Sequence, residues 1–271
     1  MKGLYSKNLQ SRYYRVYRFY EIWSLFCTRI SMQHFIGCSG FYNKDWKEVF
    51  YPKGLPQRKW FEFYCSRFST LELNTTFYRF PKIEFLQKWY ATSPAGFKFS
   101  VKAPRLITHY KQLNDCHNLL DDFYNTVQEG LKEKLGTVLL QFPAKTVYSE
   151  DFLQRIIQNL NASVNNVIEF RDVSWWNQHV LLTLSAYNIS FSGISITNLP
   201  EEIITNTALI YYRFHGIPKL YYSQYPTQKI KDFSKELQEK AGGRTAYIFF
   251  NNTATLAAIN NAMELQRFLA D

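Results

Sequence analysis

The 271-residue chain predicts an α/β fold, a TIM-like (β/α)8 barrel forming a single domain, and three observations lead there. Short apolar runs end in polar or ionisable residues with a fixed parity. Strand-like and helix-like segments alternate from Phe35 onward with short connections, the pattern of βαβ units and a parallel sheet. The length suits one α/β barrel of about 250 residues rather than two domains.

The parity follows from successive strand side chains pointing to opposite faces. Glu72 and Asn74 share a face opposed to Leu71 and Leu73, and Lys98, Ser100 and Lys102 alternate with Phe97, Phe99 and Val101. The run Val138-Leu139-Leu140 closes on Gln141, and Val167, Glu169 and Arg171 share a face. Tyr211, Arg213 and His215 share another, while the last run ends on the paired amides Asn251 and Asn252. In a closed ring of parallel strands these polar groups collect at the mouth, where barrel active sites sit.

Taken in order, strands are predicted at 35–39, 70–74, 97–102, 136–141, 166–171, 189–193, 208–215 and 245–251. Segments of helical length and amphipathic spacing lie at 56–68, 82–92, 118–132, 151–160, 176–187, 226–241 and 255–269. In 151–160, Phe152, Ile156, Ile157 and Leu160 repeat on one helical face, and the acidic opening at Glu150 and Asp151 after Ser149 suits a helix N-terminus. The sixth strand reaches the seventh through the irregular 194–207, where Leu199-Pro200 obstructs a helix. An open doubly wound sheet would want a Gly-rich phosphate turn. Ile36-Gly37-Cys38-Ser39-Gly40 has two glycines but no GxGxxG.

Composition narrows the class. With 23 Phe, 20 Tyr and 6 Trp the chain is too aromatic for disorder. No run approaches the roughly 18 apolar residues of a membrane span, so no membrane partner is expected. Cys27, Cys38, Cys65 and Cys116 form no CxxC or His-Cys ligand spacing, which points to a reducing, cytoplasmic setting. Residues 1–31 carry six basic side chains against Glu21 alone, half of the formal +10. This leader lacks a clean apolar core and a small-residue cleavage site, so a secretory signal is not expected. It is read as sequence outside the fold, with Met32 as the natural start and 32–271 as the domain; a basic amphipathic helix is the alternative.

Several segments resemble the YecE-like family, the domain of unknown function 72. They include Ile36-Gly37-Cys38-Ser39-Gly40-Phe41, Asp45-Trp46, Phe50-Tyr51-Pro52-Lys53-Gly54-Leu55-Pro56 and Glu72-Leu73-Asn74-Thr75-Thr76-Phe77-Tyr78-Arg79. Phe97 to Lys102, Ile107-Thr108-His109, Leu140-Gln141-Phe142-Pro143, Glu169-Phe170-Arg171 with Ser174-Trp175, Arg213-Phe214-His215-Gly216 and Phe250-Asn251-Asn252 complete the set. The resemblance spans roughly residues 35–265, implies a TIM-barrel-like fold and brings no established activity. The family usually follows its Phe-Asn-Asn with Asp, where this chain has Thr253. Any ligand or metal held by that Asp would lack its counterpart here.

The polar face suggests chemistry. Glu72 and Glu169 come from the second and fifth strands, and carboxylates about 5–9 Å apart are the equipment of glycosidic bond cleavage. The alternative is that they are salt-bridged by Lys102, Arg171 and Arg213. His215, with His109 near the third strand, could carry a proton near neutral pH. Glu72, Glu169 and His215 are therefore the candidate catalytic residues. Lys102, Arg171 and Arg213 suit a phosphate or carboxylate, or simply balance the two glutamates. Tyr78 and Trp175 offer aromatic faces to a sugar or base, or else lock loops onto the barrel. Asn74, His109, Gln141, Asn251 and Asn252 would orient a polar ligand. No HxH, HExxH or nucleotide motif occurs, so neither metal nor cofactor is expected.

Two function classes remain, beside a third option without chemistry. One is an enzyme of hydrolase type acting by acid–base chemistry on a small polar or anionic substrate such as a glycoside or phosphoester. The other is a nucleic-acid-binding or repair-type phosphodiesterase-like protein, resting on the basic balance and the aromatics. A barrel binding a small metabolite without chemistry is the third option.

Overall fold

The computed structural model describes residues 32–270, so the expectations for the leader lie outside the described residues. Among the described residues nine strands follow the predicted runs: β1 Gln33–Cys38, β2 Thr70–Leu73, β3 Lys98–Lys102, β4 Leu135–Gln141, β5 Asn166–Glu169, β6 Ser190–Phe191, β7 Gly193–Ser195, β8 Leu209–Phe214 and β9 Thr245–Phe250. Every ladder between them is parallel. Eight helices accompany them among the described residues: α1 Trp60–Cys65, α2 Thr75–Tyr78, α3 Ile83–Thr92, α4 His117–Leu131, α5 Glu150–Asn159, α6 Gln178–Ala186, α7 Thr227–Ala241 and α8 Ala257–Ala270. The acidic opening of α5 is completed by Ser149, whose Oγ accepts from the Phe152 amide at 3.3 Å and caps the helix.

Strand alternation sorts the apolar side chains into two groups. Outward-facing Ile36, Leu71, Val101, Leu140, Ile168, Tyr212 and Ile248 belong to the large core shared with the helices. Inward-facing Phe35, Leu139, Val167, Tyr211, Tyr247 and Phe249 form a second, smaller cluster. That inner cluster joins β1, β8 and β9 to β4 and β5, so the two sheets share one interior. Each large apolar side chain so buried contributes about 1.5–3 kcal/mol.

The ladders form two sheets, β1-β9-β8-β7 and β2-β3-β4-β5-β6, where one closed ring was expected. The predicted strand 189–193 divides at Ser192. Its amide still donates to Ile168 O of β5 at 2.8 Å, while Gly193 begins the ladder to β8 opposite Tyr212. Just before it, the Phe191 amide is taken by the Asn206 side-chain oxygen at 3.0 Å. Gly193 is required by closeness, since a Cβ there would lie 2.4 Å from Glu202 O.

At the other seam, β1 and β2 share no ladder, and a side chain stands between them. Tyr64, from α1, accepts from the Cys38 amide at 2.7 Å and donates to Thr70 O at 3.0 Å. Its hydroxyl thus does the work of a missing backbone hydrogen bond. Gly37 lets the strands approach, because a Cβ would meet Thr70 O at 2.3 Å. Replacing Tyr64 by Phe strands the buried Cys38 amide and is expected to lower unfolding stability by about 1–3 kcal/mol in urea titrations. An unchanged midpoint would mean that the seam does not need this hydroxyl.

Candidate functional site

Inward parity carries Glu72, Ser100, Thr137, Glu169, Tyr211 and Arg213 into the interior, where all six are fully buried. A buried charge costs several kcal/mol unless paired and hydrogen-bonded. Arg213 of β8 supplies the pairing for two strands of the other sheet. Its Nη2 donates to Glu72 Oε1 at 2.7 Å and its Nη1 to Glu169 Oε2 at 2.6 Å. The remaining oxygens are also taken: Tyr211 donates to Glu72 Oε2 at 2.6 Å, and Arg171 Nε donates to Glu169 Oε1 at 2.6 Å. Behind Tyr211, the hydroxyls of Ser100 and Thr137 extend the chain of bonds at 2.6 and 2.8 Å.

The electrostatics follow from these partners. Burial alone would push both glutamates toward the neutral acid. For Glu72 the Arg213 charge and its hydrogen bonds outweigh burial, so its pKa falls. For Glu169 the charges of Arg171 and Arg213 hold it well below the usual carboxylate range. Both are carboxylates at neutral pH, each oxygen already accepting a hydrogen bond.

His215, fully buried at the end of β8, meets the same cations. Arg171 Nη2 donates to its Nε2 at 3.2 Å. Burial, with the charges of Arg171 and Arg213, lowers its pKa to about 3. In the neutral ring Nε2 is the acceptor and Nδ1 bears the proton. The Asn251 amide nitrogen stands 2.9 Å from Nδ1, and a half-turn of that amide presents its oxygen to the Nδ1 proton. A proton carried here near neutral pH would have to be held against two guanidinium groups.

Above this layer opens a cavity of about 670 Å³ at the carboxyl ends of the strands. Lys102 of β3, Gln141 of β4 and Arg171 after β5 line it, with Phe77, Tyr78, His109 and Tyr221. Lys102 Nζ sits 4.0 Å from the centre of the Phe77 ring and makes one hydrogen bond among the described residues, to Gln141 Oε1 at 2.9 Å. Gln141 is held in turn by its amide donating to Phe142 O at 2.7 Å. Burial first, and then the charge of Arg213, bring the Lys102 pKa down to about 7, against the opposing pull of Glu169 and Glu72. His109 is likewise lowered to about 4, by burial and then by the charge of Lys102.

Of the predicted site residues, Tyr78, Lys102, His109, Gln141 and Arg171 therefore share one cavity. Glu72, Glu169, Arg213 and His215 form the buried layer, with Asn251 against His215. Asn74 is half-buried near Ser39 O, and Asn252 is bound to Ser223 O at 2.9 Å. Trp175 stacks on Phe170 at 3.9 Å and donates to Thr146 O at 2.8 Å, which locks the loop after β5. Trp46 does the same for its loop through Thr255 O at 2.8 Å. The sequence reading missed Ile196, Thr197, Asn198 and Leu199, which wall the cavity from the irregular connection; Pro200 was the available signal. Among the described residues no three His, Cys, Asp or Glu side chains converge as a metal site would need, and no helix is long and apolar enough to cross a membrane.

The profile of the family described as "Protein of unknown function DUF72" matches residues 35–271. The chain is 23% identical over 268 residues to the UPF0759 protein YunF of Bacillus subtilis, covering 87% of this chain and 94% of that one. It is 35% identical over 101 residues to the UPF0759 protein YecE of Escherichia coli, a match spanning 34% of this chain and 37% of YecE. A crystal structure of a DUF72 family protein from Thermotoga maritima superposes with a TM-score of 0.81 at 25% identity, covering 88% of this chain and all of that one. One from Enterococcus faecalis gives 0.75 at 20% identity over 88% of this chain and 96% of its own, a likeness of fold.

Truncating Arg213 to Leu leaves two buried carboxylates unpaired and is expected to cost about 3–5 kcal/mol of stability by chemical denaturation. Lys102→Met should act in the opposite direction and with a pH signature. The folded protein releases the Lys102 proton near pH 7, the unfolded chain near about 10.4, so the cost of burying this charge is full below pH 7 and relieved above it. The variant's gain in thermal midpoint should be largest near pH 6 and shrink toward pH 10. A gain independent of pH would show that Lys102 is not destabilised as an ammonium.

Proposed function

The chain belongs to the DUF72 family, and we propose that it is an enzyme acting by acid–base chemistry on a small anionic substrate at the carboxyl-end cavity. The reading includes a closed TIM-like barrel, supported by the Ser192 amide bond to β5 and by the Tyr64 hydroxyl between β1 and β2, the contacts that span the two gaps between the sheets.

One observation carries it: the buried layer satisfies its own charges and leaves cationic groups at the cavity. Arg213 and Arg171 answer Glu72 and Glu169, so Lys102 remains as surplus positive charge. Arg171, with Nε committed to Glu169 and Nη2 to His215, makes no hydrogen bond through Nη1 among the described residues. Lys102 and Arg171 thus suit a phosphate or carboxylate oxygen. Lys102, with a pKa of about 7, is also the group that can give and take a proton at neutral pH. This supports a phosphoester or carboxylate-bearing substrate over a glycoside. The two-carboxylate mechanism needs a protonated acid facing the bond, and both glutamates are ionised and bonded beneath the cavity.

A second reading, a single strand of nucleic acid across the rim, is favoured by Arg105, which lies over both Tyr78 at 5.7 Å and Tyr110 at 5.5 Å. Base stacking and phosphate contact would then give steeply salt-dependent binding.

Inorganic phosphate, at ionic strength matched with chloride, is expected to raise the thermal midpoint at pH 6 and progressively less above pH 7, as Lys102 loses its proton. Lys102→Met and Arg171→Met should each weaken phosphate binding about tenfold, as loss of one charge-assisted contact would. Equal midpoint shifts in wild type and the double variant would end the reading. Salt-dependent binding of single-stranded oligonucleotides, lost in Arg105→Ala, would favour the rim instead.

A further inference from the structure

We propose that Lys102 is a covalent catalyst, its Nζ adding to the carbonyl carbon of a small aldehyde or ketone whose carboxylate or phosphate group is held by Arg171. The proposal rests on the anionic-substrate reading of the cavity and adds the reaction's electrophile.

Lys102 lies at the carboxyl end of β3, nine-tenths buried, yet it lines a cavity of about 670 Å³. The Gln141 oxygen and the Phe77 face fix it on two sides, so the amine is held in place. Arg171 lines the same cavity and can take an acidic group on the compound that Nζ attacks.

The groups acting on Nζ from the surrounding elements are Glu72 of β2, Glu169 and Arg171 of and after β5, Arg213 of β8, and His109 after β3. A ring face and two carboxylates favour the ammonium; burial and two guanidinium groups disfavour it. The carboxylates are already bonded to those guanidinium groups, which blunts their pull on Nζ. The balance leaves a large share of free amine at neutral pH. A desolvated lysine beside other cations is the arrangement that activates an amine nucleophile.

The step balances without an oxidant or metal. The Nζ lone pair forms a C–N bond with the carbonyl carbon and the carbonyl π electrons move to oxygen, giving a carbinolamine after proton transfer from nitrogen to oxygen. Loss of the hydroxyl with one further proton then forms the C=N bond and releases one water. Both protons pass between nitrogen and oxygen through solvent, so the step asks for no further charged side chain; His109, neutral beside the cations, is a lining group of the same cavity.

The test is reductive trapping in the full chain. Glyoxylate (a carboxylate), glycolaldehyde phosphate and neutral glycolaldehyde are each incubated with protein and cyanoborohydride, which reduces an imine to a stable secondary amine, and adducts are mapped by peptide mass spectrometry. One or both anionic probes should label Lys102 about tenfold or more faster than any other lysine near neutral pH, since ordinary lysines are almost wholly protonated there. The Lys102 rate should level off above pH 7, while surface lysines keep accelerating toward pH 10. Lys102→Arg keeps the cation and should lose the fast adduct, and Arg171→Met should slow the anionic probes but not glycolaldehyde. Labelling of Lys102 no faster than of surface lysines, in protein that still binds phosphate, overturns the covalent role and leaves the anion reading intact. Fast labelling by all three probes in protein that binds no phosphate overturns the anionic substrate class and the anion reading with it.

Discussion

The interior of this protein depends on Arg213. One guanidinium, fully buried on β8, holds Glu72 of β2 and Glu169 of β5, and so ties the two sheets together through charge. Neither carboxylate could stay ionised in that interior alone, and the arginine could not stay there without them. The opposition of burial and pairing therefore shapes the site from below. It keeps two acids as carboxylates, keeps His215 neutral and spends two of the three strand-end cations on internal balance.

What this layer leaves over defines the cavity. Lys102 is buried beside the Arg213 and Arg171 charges, the carboxylates that oppose them are already bonded to those guanidinium groups, and Phe77 and Gln141 replace the water an ammonium would prefer. Its position is set by β3, and its acidity by burial first and then by charges from β8, β5 and β2. A charge that is costly to the fold is thereby presented to the cavity. Side chains also hold the scaffold where backbone pairing lapses. The Tyr64 hydroxyl spans β1 and β2, and Asn206 takes the amide of Phe191 where β6 gives way to β7. The likeness to the Thermotoga maritima protein over its whole length shows that this scaffold recurs.

The sequence resolved the order and type of the regular elements because their signals are local. Parity separated Leu71 and Leu73 from Glu72, and the structure divides them in the same way between outer core and interior. Strand ends fell within a few residues, and the helix opening at Ser149 to Asp151 was readable from capping chemistry alone. The split at Ser192 was not readable, because the Phe191 amide just before it is taken by a side chain fifteen residues away, Asn206. Thr75–Tyr78 and the cavity wall at 196–199 were also missed, being short and set by packing rather than period.

For the site, the residues by themselves determined which polar groups face inward, since a two-residue repeat admits only two faces. They could not determine which of those groups answer one another. Glu72 and Glu169 read equally well as a catalytic pair or as partners of arginine, and Trp175 as a ligand platform or a loop lock. Tertiary structure decided these points, because pairing and burial depend on distances of a few ångströms between strands far apart in the chain. Only there does one arginine reach two acids, and only there is Lys102 left beside the cavity with a proton it holds loosely.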